Sequence, residues 1–313
     1  MKLEFRVMIS PDRAFYSNIR LAALSLRHLG PPYDTARLRV SVGGHADLKT
    51  VQAANPWSSS FPVDWCVVPH EQFRQHSHLA THNRRFETSD ADVVVICDCD
   101  VCVIDRIDEI ITYLAGDGKR TVAGLPAHFS PYHFDAAGNE AAWRQVFAAA
   151  GLGEPPLSMR YSCDSNDVMG RAPPYFNYGF VLFGREAFAA VAPTNEYYCR
   201  LASDATNDSY FKAQIGLSLM IVAAKLDVKL LPHADNCPND DDPFNAPEPF
   251  RLHSADDIRV IHYLRNAQAD RRTFLTDPAA YEAFMAAPGL NRVNARLRDH
   301  LRGLALHDDL LFR

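Results

Sequence analysis

Residues 93–104 read VVVICDCDVCVI, and two aspartates, Asp98 and Asp100, stand inside this apolar window. A carboxylate buried without a partner is costly, so the pair needs something to balance it. At the end of a strand, residues two apart share a face, which sets the two carboxylates side by side. Like charges that close repel unless they are protonated or bridged by a cation. A hard divalent ion such as Mg²⁺ or Mn²⁺ suits them, with phosphate oxygens and water completing its shell. The blander alternative has one aspartate capping a helix near residue 105 and the other facing water.

Other residues offer weaker chemistry. His262 follows Val260 and Ile261 on an apolar strand. It is either a packed core histidine or a metal ligand, and as a ligand its imidazole must be neutral. Asn177 with Gly179 marks a bulge, a close backbone approach or a ligand contact. Gln214 lies on the polar edge of an apolar helix. Arg84 and Arg85 are adjacent and so point different ways, one toward solvent and one free to meet phosphate. Cys97, Cys99 and Cys102 form C-x-C-x-x-C, but no second cluster completes the four ligands of structural zinc. They read as small hydrophobes.

The elements that position these groups follow from the pattern. LEFRVMIS, ARLRVSVGG and VDWCVVP read as strands, with a helix over AFYSNIRLAALSLRHLG after the first. DADVVVICDCD is a fourth strand, and its continuous apolar run suits burial on both faces. A helix over IDEIITYLAG and a strand over RTVAGLPAHF come next. Residues 128–174 are rich in turn formers and are expected to be a long functional loop region. PYFNYGFVLFG resumes as a strand, REAFAAVA and DSYFKAQIGLSLMIVAAKL as helices, and VKLLP and RVIHYL as short strands. Beyond residue 270 the pattern is helical. Strands alternating with helices predict an α/β sheet covered on both faces, which binds ligands beyond the carboxyl ends of its strands. Asp98 and Asp100 fall at such an end.

Composition narrows the function classes. The chain has 313 residues, 47% hydrophobic, with a formal net charge of −6. That suits one large domain, or one domain with an appendage, and disfavours a nucleic-acid partner. Seven cysteines, an odd number, and an N-terminus without an apolar signal region predict free thiols and a cytoplasmic location. No window approaches the length of a membrane span.

Taken together, the motifs resemble the family 8 glycosyltransferases, retaining enzymes of the GT-A fold. DADVVVICDCDVCVI resembles that family's strand ending in Asp-x-Asp. PYFNYGFVLFG resembles its Tyr-Phe-Asn-x-Gly strand at Tyr175, Phe176, Asn177 and Gly179. AQIGLSLMIVAAKLDVKLLPHADN resembles its Asp-Gln helix, with Gln214 and Asn236 on matching positions, and VIHYLRN its strand ending in a metal-binding histidine, here His262. The opening MISPDRAFYSNIRLAALSL is similar to its first strand and helix.

The resemblance spans roughly residues 3–270 and implies a GT-A mixed central sheet flanked by helices, with a C-terminal helical extension. Residues 1–270 are then the catalytic domain and 271–313 an appendage. It further implies a nucleotide-sugar donor, commonly a UDP-sugar, Mn²⁺ or Mg²⁺ on Asp98, Asp100 and His262, and a glycan or other hydroxyl acceptor. Gln214 joins the two aspartates as catalytic. Asp12, Tyr16, Arg84, Arg85 and Asn177 hold the donor, with Arg265 supplying positive charge against the diphosphate. Two departures stand out. Ala213 occupies the position of the family's aspartate, and HYLRNAQAD replaces its Gly-x-x-Lys-Pro-Trp.

Three readings therefore stay open: a metal-dependent glycosyltransferase, an inactive nucleotide-sugar binder, and a haloacid-dehalogenase-type phosphohydrolase. The last would use Asp98 as nucleophile and draw metal carboxylates from NDDDP at 239–243. The basic amphipathic stretch NRVNARLRDHLRGLALHDDLLFR adds a possible peripheral membrane contact, against the simpler reading of a docked helix.

Overall fold

The computed structural model describes residues 1–44, 47–76, 78–116, 118–132, 135–263, 268–270 and 272–304. Its strands are β1 (Leu3–Ile9), β2 (Arg37–Val42), β3 (Val63–Val67), β4 (Val93–Cys97), β5 (Val101–Val103), β6 (Thr121–Pro126), β7 (Phe176–Gly184), β8 (Asp227–Leu230), β9 (Cys237–Pro238) and β10 (Val260–His262). Its α-helices are α1 (Arg13–His28), α2 (Leu48–Ala54), α3 (His70–His76), α4 (His78–Arg84), α5 (Asp108–Leu114), α6 (Ala136–Ala149), α7 (Arg185–Val191), α8 (Asn195–Ala205), α9 (Lys212–Ala223), α10 (Asp242–Asn245), α11 (Pro278–Ala286) and α12 (Arg292–Gly303).

Seven strands form the main sheet in the order β3-β2-β1-β4-β7-β6-β8. β1 pairs in parallel with both β2 and β4, whereas β7 runs antiparallel to both β4 and β6. The sheet is mixed, as expected. Chain order reverses between β1 and β4, and at such a switch point the loops diverge and leave a crevice at the strand ends. β4 is central, and its period of two divides it between two cores. Val93, Val95 and Cys97 pack with Ile19, Ala23 and Leu26 of α1, while Val94 and Ile96 pack with Phe86, Phe183 and Phe188. Burial on both faces explains the unbroken apolar run.

The fourth strand ends sooner than the sequence suggests. It stops at Cys97, and residues 98–100 turn out of the main sheet. The chain then starts β5 in a second, three-stranded sheet of order β5-β10-β9. The irregular stretch at 128–174 also needs correction, since it contains α6. Asp135 caps that helix by accepting a hydrogen bond from Gly138 N at 2.8 Å. Asn139, Trp143, Val146 and Phe147 are its buried residues, at helical spacing. Gly138 inside the first turn and the turn-rich flanks disguised it. α8, with buried Asn195, Cys199 and Ala202, is a further helix the sequence reading did not separate.

The C-terminal helix is docked. α12 lays Val293, Leu297 and Leu301 into a core shared with Leu21 and Leu24 of α1, Cys102 of β5 and Ile261 of β10. Its apolar face is therefore filled by protein, which leaves the membrane reading without a surface on this helix. Residues 305–313 lie outside the described residues. No helix among the described residues is long and apolar enough to cross a membrane.

Candidate metal centre and its surroundings

Asp98 and Asp100 sit in the turn between β4 and β5, not on a strand face. The turn is held at both ends by main-chain hydrogen bonds: Asp98 N donates to Gly179 O at 3.0 Å, and Tyr263 N donates to Asp100 O at 2.9 Å. The antiparallel β5–β10 pairing sets His262 opposite Val101, one residue beyond Asp100. His262 Nε2 therefore lies 3.4 Å from Asp100 Oδ1 and 3.9 Å from Asp98 Oδ2. Asp100 is 1% exposed and His262 5%, while the Asp98 side chain is 36% exposed and opens the site to solvent.

One ligand atom from each of the three residues falls within 4.8 Å of the others. Gaps of this size accept a cation whose own bonds run about 2.0–2.2 Å. Two carboxylates and one imidazole are a donor set for a divalent cation. Gly179 of β7 makes the set possible, because a Cβ there would overlap Cε1 and Nδ1 of His262. The alternative in which an aspartate caps a helix is overturned. The next helix is α5, and its N-cap, Ile107, makes no side-chain capping bond.

Arg85 sits beneath this cluster, its side chain fully buried, with Nη1 3.7 Å from Asp98 Oδ1. Nη1 also donates to Cys97 O at 3.3 Å, and Nη2 to His82 Nδ1 at 2.8 Å. Its guanidinium lies 4.9 Å from the centre of the Tyr178 ring. Burial, reinforced by the neighbouring Arg85 charge, pushes His82 well below its ordinary pKa. His82 therefore stays neutral: Nδ1 accepts from Arg85, and Nε2–H is left to donate to Asn195 Oδ1 at 3.2 Å. Arg6, buried and paired with Glu4, fixes the backbone around Arg85 by donating to Arg85 O at 2.8 Å and Thr88 O at 3.0 Å. Arg84 faces the other way and pairs with Glu87. Of the two arginines, Arg85 is the one turned to the centre.

The remaining expected residues divide. Asn177 is close: its Oδ1 accepts from Gly179 N at 3.0 Å and from Asn236 Nδ2 at 3.2 Å. Gln214 donates to the carbonyl of Phe176, the residue before Asn177, and so is tied to the start of β7. Asp12 is the N-cap of α1, accepting from Ala14 N at 2.8 Å, a structural task sufficient to explain it. Tyr16 packs edge-on against Trp65 with ring centres 5.9 Å apart, and burial raises its hydroxyl pKa. Both lie just past the end of β1, at the same rim as Asp98. Arg265 lies outside the described residues.

Sequence reasoning missed a second constellation. His128, just after β6, Cys163, and His233, in the short turn before β9, also bring one ligand atom each within 4.8 Å of one another. They are far apart in the chain, so no local spacing announces them. Of the C-x-C-x-x-C cysteines, Cys97 and Cys99 belong to the main core, while Cys102 Sγ lies 3.1 Å from Ser25 Oγ in the second. All seven cysteines are free thiols.

The sequence matches no protein-family model and no curated protein. Solved structures are more informative. The fold matches that of the galactosyltransferase LgtC in complex with donor and acceptor sugar analogues, at 15% identity and a TM-score of 0.55, covering 96% of this chain and 100% of that one. A structure of an active-site mutant of LgtC matches at 15% identity and a TM-score of 0.56, covering 98% of each chain. The chain has the GT-A glycosyltransferase fold.

Proposed function

We propose that this protein is a metal-dependent glycosyltransferase that moves a sugar from a nucleoside diphosphate donor, a UDP-sugar, to a hydroxyl acceptor. The observation that carries the reading is the convergence of Asp98, Asp100 and His262 at the rim of the sheet, beyond the carboxyl ends of β1 and β4 where chain order reverses. The fold shared with LgtC, whose structure was solved with donor and acceptor sugar analogues, supports the same assignment. Residues 1–270 form the catalytic unit in this reading, with 271–313 as its helical appendage. The free thiols agree with a cytoplasmic setting.

Asp98, Asp100 and His262 would hold Mn²⁺ or Mg²⁺, which when bound would supply Lewis-acid neutralisation of the charge on a departing diphosphate. The protein's own part is positioning. The buried Arg85 guanidinium holds Asp98 toward the ion and adds fixed positive charge beside it. Gly179 lets His262 reach the carboxylates. Asn177 and Gln214 anchor the stretch of β7 that faces the donor sugar, and Tyr16 and Asp12 border the nucleoside end. Glycosyl transfer of this kind rests on orientation and electrostatics around the leaving group. No strong base is assigned.

Calorimetric titration with UDP tests the reading. Heat of binding is expected with Mn²⁺ or Mg²⁺ present and not without, and Asp100→Ala removes that dependence. Binding that ignores the metal and survives in Asp100→Ala would sink it. Ala213, in the position where the resemblance expects an aspartate, favours a second reading, a donor binder without turnover. Metal-dependent UDP binding with no hydrolysis or transfer of any UDP-sugar would select it.

A further inference from the structure

We propose that His128, Cys163 and His233 form a second metal site, specific for a soft divalent ion of the zinc class and distinct from the hard Asp98–Asp100–His262 centre. Cys163 Sγ lies 3.5 Å from His128 Nδ1 and 3.7 Å from His233 Nε2. In a tetrahedron with metal–sulfur bonds of about 2.3 Å and metal–nitrogen bonds of about 2.0–2.1 Å, the sulfur–nitrogen edge is about 3.6 Å. Both thiol–imidazole contacts, which are within hydrogen-bonding reach, already stand near that spacing.

The surroundings suit a ligand set. His233 Nδ1 donates to Phe250 O at 2.7 Å, which leaves the Nε2 lone pair aimed at Cys163. A ligating histidine normally has its second nitrogen fixed by such a carbonyl. His233 is buried and His128 and Cys163 are partly buried, so the three donors are shielded from bulk water. Asp242 is near enough to act electrostatically on both Cys163 and His233, and Asp240 on Cys163. Part of the acidic run at 239–243 thus serves this constellation, where it favours a cation. One thiolate and two imidazoles select zinc or a similar ion over Mg²⁺ and Mn²⁺, which prefer oxygen. Three protein ligands leave a fourth position for water or a carboxylate.

Loading the site has a stated proton balance. The Cys163 thiol gives its proton to solvent as the metal–sulfur bond forms. His128 binds through Nδ1, which releases its contact with Ser162 Oγ at 2.9 Å. Its Nε2 then carries the hydrogen, facing Asn177 Nδ2 at 3.0 Å. Asn177 accepts that hydrogen by inverting its amide. Asn236 Oδ1, buried and without a hydrogen-bond partner among the described residues, becomes available to Asn177 Nδ2 when its own amide turns. The cost is the contact with Ser162 Oγ and the bond from Gly179 N, two hydrogen bonds against several metal bonds. The second site is thereby coupled to the side chain expected to face the donor sugar.

Cobalt(II) is the probe, because a thiolate–cobalt bond gives a near-ultraviolet charge-transfer band and tetrahedral cobalt gives intense visible bands. The intact chain titrated with Co²⁺ should show both, with the bands saturating at one equivalent and bleached by Zn²⁺. Cys163→Ser should lose the charge-transfer band, and His233→Gln should weaken it. Asp98→Asn should keep it, which separates this site from the donor-binding centre and from any failure of UDP binding. Circular dichroism of each variant confirms that it is folded. Absence of the band in the native chain, its persistence in Cys163→Ser, or its loss in folded Asp98→Asn overturns the proposal.

Discussion

Gly179 and His262 occupy adjoining space so tightly that the smallest side chain at 179 would overlap the imidazole. Gly179 does not have a positive φ, so its requirement is for room and not for backbone freedom. The glycine on β7 is thus what lets a histidine on a different sheet reach the aspartates. Gly179→Ala should fold, displace the ring and raise the Mn²⁺ dissociation constant by on the order of 10–100-fold. Electron paramagnetic resonance of free Mn²⁺ measures this directly, and an unchanged affinity would refute the role given to residue 179.

Arg84 and Arg85 are chain neighbours with opposite fates. Removing Arg84 takes away a partly exposed pair with Glu87, which is worth about 0–1 kcal/mol. Removing Arg85 takes a buried cation from beneath Asp98. If it bears on the diphosphate complex, Arg85→Ala should weaken metal-dependent UDP binding by about tenfold or more, in line with a hydrogen bond to a charged group of about 1.5–3 kcal/mol. Arg84→Ala should bind within about twofold of the native chain. Equal losses in the two variants would contradict the assignment.

Acid should loosen the C-terminal helix. His300 of α12 is buried beside Ser25 Oγ, 2.9 Å from its Nε2, and burial lowers its pKa to about 4. In the unfolded chain the same imidazole protonates near pH 6.5. Between those values the unfolded state binds the extra proton, so stability is intact above about pH 6.5 and falls as pH drops toward 4. The lowered pKa corresponds to about 3 kcal/mol. Urea unfolding at pH 7.5 and 4.5 should show a smaller acid loss in His300→Gln than in the native chain. His128, whose pKa also lies near 3, keeps part of the loss in both. Identical acid losses would exclude His300 as a source.

Leu297 is completely buried in the core that joins α12 to α1, β5 and β10. Leu297→Ala should cost about 2–5 kcal/mol in chemical denaturation, as cavity-forming substitutions in well-packed cores do. A change below about 0.5 kcal/mol would mean that the helix is a loose attachment.

Much of the framework could be read from residue patterns alone. The apolar period of β1, β2, β3 and β7, the double-faced run of β4 and the helical spacing of α1 and α9 are local signals, and local chemistry suffices to interpret them. The Asp98–Asp100 pair declared itself because carboxylates in an apolar run demand compensation. What the pattern concealed was where β4 ends. A run that remains apolar while the chain passes from one sheet to another carries no mark of the turn, and only the hydrogen bonds of Asp98 N to Gly179 and of Asp100 O to Tyr263 reveal it.

The sequence by itself determined that two carboxylates accompany a central apolar strand and that an arginine pair precedes it. Tertiary structure decided which arginine turns inward, that residue 262 meets those carboxylates, and that His128, Cys163 and His233 bring their ligand atoms within 4.8 Å of one another. The reason is physical. Alternation and propensity act over a few residues. The meeting of His262 with Asp100 depends on the β5–β10 register and on the empty space at Gly179, both properties of segments brought together by folding.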